Sequence, residues 1–405
     1  MIYRADYLNT IKPFYLKPIV KVLSGLRRVG KSFLLQQIQS ELSALGVAPE
    51  NQVVINKELL VFDHIANGKD LHSYVHARLD GTKGPRLIIV DEVQDIESWE
   101  GAVNSLLAEG FADIYLSGSN ANLFSSELAS KLTGRYVEIP VFPLGFQEFL
   151  LFREVENVPG ARRSEELKTY QRFGGLPGIH NLPLTEDAAL KYLGDVQNSI
   201  LLKDVVRRHN IRDIALLERI FTFALVNCGK ITTAKSISDY FKSQRIKRSV
   251  DTVQDYLSFL SDSFLIRMVK RYDLSGKRHM ELYEKYYVSD LGLRSARLGR
   301  LNDDLSGPLE NIVYCELIRR GFTVHIGMVD RLEIDFVAEK KNKRCYVQVA
   351  LALTEPATIE REFGNLERIA DNYPKYVISP DPNRPADRNG IIGMGLEEFL
   401  SGAEL

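Results

Sequence analysis

The chain has 405 residues, enough for two to four domains of about 100–200 residues each. It is 45% hydrophobic and 26% charged with a net charge of −1, which excludes a general electrostatic attraction to nucleic acid or to an anionic membrane. Three cysteines and seven histidines without ligand-like spacing argue against a disulfide framework or a zinc site, and the lack of a membrane-length apolar run or signal-peptide core predicts a cytoplasmic protein with no membrane partner.

The strongest motif lies near the amino end, in residues 19–38, IVKVLSGLRRVGKSFLLQQI. An apolar run predicts a strand, the G-x-x-x-x-G-K-S spacing predicts a phosphate-binding loop, and the apolar period that follows predicts a helix. Lys31 is expected to reach the β and γ phosphates of a nucleotide, and the Ser32 hydroxyl is expected to bind Mg²⁺. The predicted nucleotide-binding residues are Gly25, Leu26, Arg27, Arg28, Val29, Gly30, Lys31, Ser32 and Phe33.

Two carboxylates end the next apolar run, residues 85–92, PRLIIVDE. Such a continuous aliphatic run predicts a strand buried on both faces, which we expect to lie beside the strand of the phosphate loop. Asp91 is expected to hold the Mg²⁺ shell and Glu92 to polarise the attacking water. An aliphatic run ending in Asp-Glu is by itself an ordinary strand end, but its position downstream of a phosphate loop favours the catalytic interpretation.

A further strand over residues 113–117 runs into a polar turn, and an apolar strand follows over residues 136–141. Ser119 and Asn120 are both candidates for sensing the γ-phosphate or orienting water, although either residue could instead cap a helix or form a turn. Arg135 is the candidate arginine finger, supplied to a neighbouring subunit; it could equally pair with a local carboxylate.

These segments carry a resemblance to a known family. The chain resembles the prokaryotic AAA-type ATPases that have a C-terminal domain of unassigned function. The resemblance implies ATP as the nucleotide, a helical lid, a winged-helix-like section and a C-terminal module similar to PD-(D/E)XK nucleases. The segments that carry it are GLRRVGKS, LIIVDEVQD, LSGSNA, LTGRYVEIPVFPLGFQEFL, FGGLPG, ILLKDVVRRHNIRD, TVQDYLSFLSDSFLI, KYYVSDLGLR and LENIVYCELIRRGFTV.

The periodicity of the later segments agrees with that layout. The fold class expected is α/β, with a parallel-sheet P-loop core followed by smaller modules. Helical segments broken by GGLPG predict a lid, and three helices followed by a hairpin predict a winged helix. The expected domains are an ATPase core at 1–145, a helical lid at 146–205, a winged-helix-like domain at 206–300 and a nuclease-like α/β domain at 301–405.

DNA binding by the winged-helix-like segment has sequence features for and against it. Basic residues that could neutralise phosphates are Lys242, Arg245, Lys247, Arg248, Lys270, Arg271, Lys277 and Arg278. The exposed positions of the presumed recognition helix are Asp251, Gln254, Asp255, Ser258 and Asp262, whose carboxylates would oppose the duplex. The sequence therefore leaves DNA open as a partner beside a solvated charged face or a contact between subunits.

The last module contains a second cluster of carboxylates. Glu310 lies on a predicted helix, and Glu333 and Asp335 share one face of a predicted strand. They could retain weak metal binding, or they could pair with arginines such as Arg319 and Arg331.

A nuclease of this class needs an acid on the following strand and a lysine two residues later. Gln348 and Ala350 occupy those two positions. An amide is a poor anionic metal ligand and alanine has no proton to transfer, so the module is expected to be nuclease-like in fold and inactive.

The sequence as a whole predicts an Mg²⁺-dependent ATPase that acts as a homo-oligomer. ATP turnover would move the lid and the winged-helix-like domain against the core, with Glu92 as base, Asn120 as sensor and Arg135 acting in trans. The alternatives are a nucleotide-switched module that binds DNA or protein, and an ATP-dependent nuclease.

Overall fold

The computed structural model describes residues 2–121, 132, 134–153, 160–274, 276, 278–299, 305–330 and 332–405. The chain divides into two units. The first comprises the residues up to Phe142 with Asp262–Phe264, and the second comprises Pro143–Ser261 with Leu265–Leu405. Within the ranges given above, no helix is long and apolar enough to cross a membrane.

A parallel sheet forms the centre of the first unit. Its strands are β1 (Val20–Ser24), β2 (Gln52–Asn56), β3 (Leu87–Asp91), β4 (Asp113–Gly118) and β5 (Tyr136–Pro140). The strand order is β2-β3-β4-β1-β5, and every pairing is parallel. β1, β3 and β4 are buried along their whole lengths, as expected for strands covered on both faces.

We expected the strand that ends in Asp91 to lie directly beside β1, the strand of the phosphate loop, and this prediction is wrong. β4 lies between β1 and β3, so the strand that ends in Asp91 is two positions away from β1. Strand order depends on which apolar faces pack together, and the sequence of one strand does not encode its neighbour. The carboxyl ends of all five strands nevertheless meet at one edge of the sheet because the sheet is parallel.

Helices of the first unit are α1 (Ala5–Ile11), α2 (Lys31–Ala44), α3 (Gly68–Leu79) and α4 (Trp99–Ala108). α3 begins earlier than its apolar period indicates, because the side chain of Asn67 accepts hydrogen bonds from the backbone N–H groups of Lys69 and Asp70. The apolar faces of α3 and α4 pack with the sheet residues in one continuous core.

The second unit opens with seven helices and one π-helical turn in the described part of the chain. These helices are α5 (Phe146–Phe152), α6 (Gly160–Phe173), α7 (Glu186–Ile200), α8 (Ile214–Val226), α9 (Ala234–Ser243), α10 (Val250–Asp262) and α11 (Leu291–Leu298), with a π-helix at Leu201–Arg207. The helices expected for the lid and for the winged-helix-like segment therefore form. How the lid packs on a nucleotide stays a prediction.

A single mixed sheet runs through the rest of the second unit. Its strands are β6 (Ile266–Asp273), β7 (Arg278–Val288), β8 (Thr323–Val329), β9 (Leu332–Lys340), β10 (Lys343–Val349), β11 (Lys375–Ser379), β12 (Asp387–Arg388) and β13 (Ile391–Gly395), in the order β12-β13-β11-β10-β9-β8-β6-β7. The remaining helices are α12 (Ser306–Arg319), α13 (Pro356–Glu367) and α14 (Leu396–Leu400).

This sheet crosses the boundary that we expected at residue 300. The β6–β7 hairpin, expected as the wing of a winged helix, pairs through β6 with β8 of the C-terminal strands. Backbone hydrogen bonding thus joins the two expected domains into one sheet. Of the turn at 275–277, Ser275 and Lys277 lie outside the described residues, as do Arg331 and the side chain of Arg278.

Candidate nucleotide site

The loop between β1 and α2 adopts a conformation that its glycines permit. Gly25 has φ +153°, and a Cβ there would lie 2.2 Å from the carbonyl oxygen of Val141. Gly30 has φ +96° and ends the loop at the first turn of α2. Arg28 also takes a positive φ of 71°, so three of the six loop residues have the left-handed backbone that tightens the turn. A tight glycine-containing loop that leads into a helix start is a backbone arrangement that suits an anion.

Lys31 is buried at the base of this loop. Its ammonium group donates to the carbonyl oxygens of Gly25 at 3.0 Å and of Leu26 at 3.2 Å. It also lies 3.7 Å from Oε1 of Glu92. A positive charge is therefore held inside the loop, and its contact with phosphates stays a prediction.

Asp91 and Ser32 meet although they lie on different elements. Asp91 ends β3, Ser32 lies in the first turn of α2, and the serine hydroxyl donates to the carboxylate. Ser117 at the end of β4 also donates to Oδ1 of Asp91. Burial raises the pKa of Asp91, and both hydroxyl groups oppose that rise. A hydroxyl and a carboxylate oxygen side by side are ligands that Mg²⁺ prefers.

Glu92 is directed into the same place by an unusual backbone. Its φ of 55° is left-handed, which costs a non-glycine residue conformational energy and turns the chain sharply after β3. Ser119 Oγ donates to Oε2 at 3.2 Å, and Gln94 also donates to Oε2. Burial would raise the pKa of Glu92, but the charges of Lys31 and Arg27 hold it below its usual value. The carboxylate is thus kept ionised and able to accept a proton.

Arg27 connects the loop to two acids. It forms an ion pair with Glu58 at 2.7 Å and lies 3.9 Å from Oε2 of Glu92. Arg28 is exposed and Phe33 is 59% exposed, whereas Leu26 and Val29 are buried in the unit. The predicted loop residues therefore divide into exposed ones, Arg28 and Phe33, and buried ones, Leu26 and Val29, which anchor the loop.

The two remaining predicted residues lie at opposite edges of the sheet. Asn120 follows β4 at the loop edge, where its neighbour Ser119 makes the contact with Glu92. Arg135 precedes β5 at the other edge, where its carbonyl accepts from Val20 N and its Nη2 donates to Asn104 Oδ1 at 2.7 Å. The length of β1 separates Arg135 from the loop by roughly 16 Å. A role on the nucleotide of its own chain is thereby excluded, and a finger role would have to act on a second chain.

Sequence reasoning missed three residues of this site. Ser117 and Gln94 were not considered, and Arg27 was expected only as a loop member, without its contact to Glu92. The position of Ser117 could have indicated its role, because it lies at the carboxyl end of β4, the strand next to β3. Nothing local signals the Gln94 contact, which depends on the turn after Glu92.

Comparisons with known proteins bear on the family and on the fold of the core. A family described as "AAA domain" matches residues 17–150, and a "domain of unknown function" family matches residues 164–304. An uncharacterized protein of Haemophilus influenzae is 35% identical over 403 residues, covering 99% of this chain and 98% of that protein. The chain belongs to the same family as this Haemophilus influenzae protein, and its residues 17–150 match an AAA domain.

Two further relatives widen the comparison. An uncharacterized protein of Methanocaldococcus jannaschii is 29% identical to this AAA-domain protein, covering 86% of this chain and 78% of the relative. The Walker-type ATPase of Pyrococcus abyssi has a TM-score of 0.50 at 18% identity, covering 73% of this chain and 96% of that chain. The latter likeness concerns the fold and confirms the P-loop α/β core. The likeness of the last module to nucleases stays a prediction.

The carboxylate cluster in the second unit of the AAA-domain protein contains a cation that sequence reasoning missed. Lys285 on β7, almost fully buried, lies 2.7 Å from Oε1 of both Glu310 and Glu333 and 3.9 Å from Oδ1 of Asp335. Tyr287 also donates to Glu310. Burial would lower the pKa of Lys285, but the three acids raise it. The acids are therefore ion-pair partners of Lys285, while Arg319 pairs with Glu316.

Gln348 performs a structural task beside that cluster. Its Oε1 accepts from the Asp335 backbone N–H, and its Nε2 donates to Glu362, both at 2.8 Å. The Val349 N–H in turn donates to Oδ2 of Asp335. Both ends of the amide are thus occupied by contacts within the protein. The absence of a metal at Gln348 stays a prediction.

The basic surface of the AAA-domain protein is only partly free for phosphate. Lys242, Lys247, Arg248 and Ser249 line a shallow pocket, but Arg248 also pairs with Asp213 at 2.6 Å. Of the α10 positions expected to be exposed, Asp251, Gln254, Asp255 and Ser258 are exposed, whereas Asp262 is half-buried. DNA binding stays a prediction.

Proposed function

We propose that this AAA-domain protein hydrolyses ATP in an Mg²⁺-dependent reaction at the β1–α2 loop. The observation that carries the proposal is the meeting of four side chains from three elements at one sheet edge. Lys31 and Ser32 come from the start of α2, and Asp91 and Glu92 come from the end of β3 and the turn after it. Each contributes a charge or a ligand that phosphoryl transfer needs.

The residues present fit a polyphosphate and a magnesium ion. Gly25 lets the loop pack closely against the Val141 backbone, and the glycine spacing of the loop is the one that lets main-chain N–H groups surround phosphate oxygens. Ser32 and Asp91 would hold Mg²⁺, since their oxygens already lie within hydrogen-bond distance of each other. Bound there, Mg²⁺ supplies positive charge to the β and γ phosphates.

Glu92 supports the hydrolytic step. It is ionised, buried and held by Ser119 and Gln94, so it can take a proton from a water molecule placed for in-line attack. Lys31 and Arg27 are counter-ions of Glu92 in the structure. We infer that an incoming γ-phosphate competes for Lys31, which releases Glu92 toward the attacking water. Turnover would then move the second unit against the core.

Two substitutions separate binding from hydrolysis. Lys31→Ala is expected to abolish ATP binding, because it removes the buried ammonium group that we expect to hold the β and γ phosphates. Glu92→Gln is expected to keep ATP binding and to reduce hydrolysis by at least about a hundredfold, since an amide cannot accept the proton. Binding is measured with a fluorescent ATP analogue, and hydrolysis by phosphate release with Mg²⁺ and with EDTA.

The matched controls are Lys69→Ala and Glu97→Gln, which change exposed residues of the same types in the first unit. Both are expected to hydrolyse ATP at the wild-type rate. If Glu92→Gln hydrolyses ATP at the wild-type rate, Glu92 is not the catalytic base. Hydrolysis that is unchanged in EDTA would remove the magnesium dependence.

A further inference from the structure

Two histidines and a glutamate meet where helices α3 and α4 lie side by side in the first unit. His72 and His76 are four residues apart on α3, so their rings lie on one face with centroids 4.4 Å apart. Glu109 directly follows α4, and its two oxygens face the two rings. Oε1 is 3.1 Å from Nε2 of His72, and Oε2 is 3.0 Å from Nε2 of His76. Sequence reasoning gave these histidines ordinary roles and overlooked their i, i+4 spacing.

The outer atoms of the cluster are also positioned. His76 Nδ1 lies 2.9 Å from Oδ1 of Asp80, and Ser105 Oγ donates to Oε1 of Glu109 at 2.7 Å. A carboxylate held to the far nitrogen of a histidine and a hydroxyl held to the carboxylate are the contacts that orient metal ligands in proteins.

These contacts bring metal-ligand atoms from three side chains to one place. Nε2 of His72 and Nε2 of His76 each face a different oxygen of the Glu109 carboxylate, at 3.1 Å and 3.0 Å. Imidazole nitrogens and carboxylate oxygens are both ligands that transition metals accept.

The geometry suits a metal ion of the zinc class. The ligand atoms of His72, His76 and Glu109 all lie within 4.8 Å of one another. Ligands of a tetrahedral ion at about 2.0–2.1 Å are separated by roughly 3.3 Å, close to the two measured nitrogen–oxygen distances. Two imidazoles and a carboxylate favour Zn²⁺ or Ni²⁺ over Mg²⁺, which prefers oxygen ligands.

We propose that His72, His76 and Glu109 bind one divalent transition-metal ion and so tie α3 to α4. The start of α3 already lies against the start of α4, because a Cβ on Gly68 would meet the Ser98 carbonyl oxygen at 2.5 Å. The ion would add a second connection, between the later part of α3 and the residue that follows α4. The site shares no residue with the nucleotide loop, and its ligands are of a different chemical kind.

Calorimetric titration of the untagged full-length chain with Zn²⁺ and Ni²⁺ tests the proposal. One ion is expected to bind per chain, and the melting temperature is expected to rise with metal. His76→Gln and Glu109→Gln are expected to weaken metal affinity at least tenfold. His64→Gln, an exposed histidine of the same unit outside the cluster, is expected to bind like the wild type.

The melting temperature of each variant is first recorded with EDTA, so that the metal-induced shift is compared within one variant. The proposal is overturned if neither ion binds to the wild type, in which case the cluster is a set of protonated ion pairs. It is equally overturned if both cluster variants bind with wild-type affinity, because the ion then lies elsewhere. Neither result depends on ATP hydrolysis.

Discussion

At the scale of single residues, burial decides what each charged group can do. Lys285 and Lys31 are both almost completely buried lysines, but their partners differ. The ammonium group of Lys31 donates to two carbonyl oxygens and lies 3.7 Å from one acid, so we expect a more strongly charged anion to compete for it. Lys285 has two carboxylates at 2.7 Å and a third at 3.9 Å. It neutralises acids that would otherwise repel one another, and its role is structural.

Lys285→Met is therefore expected to lower the free energy of unfolding by about 2–3 kcal/mol, because it leaves partly buried carboxylates without a counter-charge. Urea unfolding followed by circular dichroism measures the loss. Lys270→Met is the control, since Lys270 is exposed on the neighbouring strand of the same hairpin and is expected to change stability by less than about 0.5 kcal/mol. Equal stability of the two variants would show that the carboxylates do not need the lysine.

His180 makes the stability of the second unit depend on pH. Its ring packs on Phe149 and Phe152, and neither of its ring nitrogens has a hydrogen-bond partner in the described chain. Burial, with a contribution from Arg153, lowers the pKa of His180 to about 4. Between that pH and the ordinary value near 6.5, the unfolded state binds more protons, so the free energy of unfolding falls as the pH falls.

Lowering the pH from 7 to 5 is expected to cost about 1 kcal/mol through His180, a discounted value because the ring is partly exposed. His180→Phe should remove this part of the pH dependence, whereas His64→Phe should keep it. Urea unfolding at both pH values measures the difference. An identical pH dependence in wild type and His180→Phe would show that another group carries the effect.

At the scale of elements, the β1–α2 loop shows how backbone shape prepares a site. The loop is tight because Gly25 approaches the Val141 carbonyl and because Gly30 and Arg28 take positive φ angles. Its conformation is fixed by the strand before it and the helix after it, and the acids come from the end of β3. The site is thus formed by the end of β1, the start of α2 and the end of β3. Side-chain packing elsewhere in the sheet fixes the positions of these ends relative to one another.

Gly25→Ala is expected to disrupt this loop, because its Cβ would overlap the Val141 carbonyl oxygen at a backbone angle that alanine rarely adopts. We expect a loss of about 1–3 kcal/mol in stability and at least a tenfold loss in nucleotide affinity. Thermal denaturation and titration with a fluorescent ATP analogue measure the two effects.

Gly101→Ala provides the contrast, since Gly101 lies in the first turn of α4 and a Cβ there meets no atom within 4 Å. It is expected to stabilise the protein by about 0.5–1 kcal/mol and to leave nucleotide affinity unchanged. Wild-type affinity in Gly25→Ala would mean that close approach of this backbone is not required.

At the scale of the whole molecule, Arg135 poses the question of assembly. It lies at the edge of the sheet opposite the nucleotide loop and donates to Asn104. If it is an arginine finger it must act on another chain, which requires an oligomer. If Arg135 instead has a structural role within its own chain, that role is the hydrogen bond to Asn104.

Arg135→Ala is expected to keep ATP binding and to lose hydrolysis by at least about a hundredfold, with activity partly restored by mixing it with Lys31→Ala. Light scattering should detect a larger particle when ATP is added to Glu92→Gln. Asn104→Ala removes the local partner and keeps the arginine, so it is expected to retain hydrolysis. Equal losses in Asn104→Ala and Arg135→Ala, or no restoration on mixing, would assign Arg135 a local role.

The sequence by itself determined the phosphate loop, the strand that ends in Asp91 and Glu92, and most helices. These features are local: the spacing of glycines sets a backbone shape, and apolar periodicity sets the buried face of an element. The α/β class of the core followed from them, because alternating strands and helices form a parallel sheet.

The tertiary structure alone decided which distant residues meet. It placed β4 between β1 and β3 and joined the hairpin to the C-terminal sheet. It also brought Lys285 to Glu310 and Glu109 to His72 and His76. These contacts join separate elements, and their energies come from burial and charge after the elements have packed. No spacing along the chain encodes them, because each depends on how whole faces fit together.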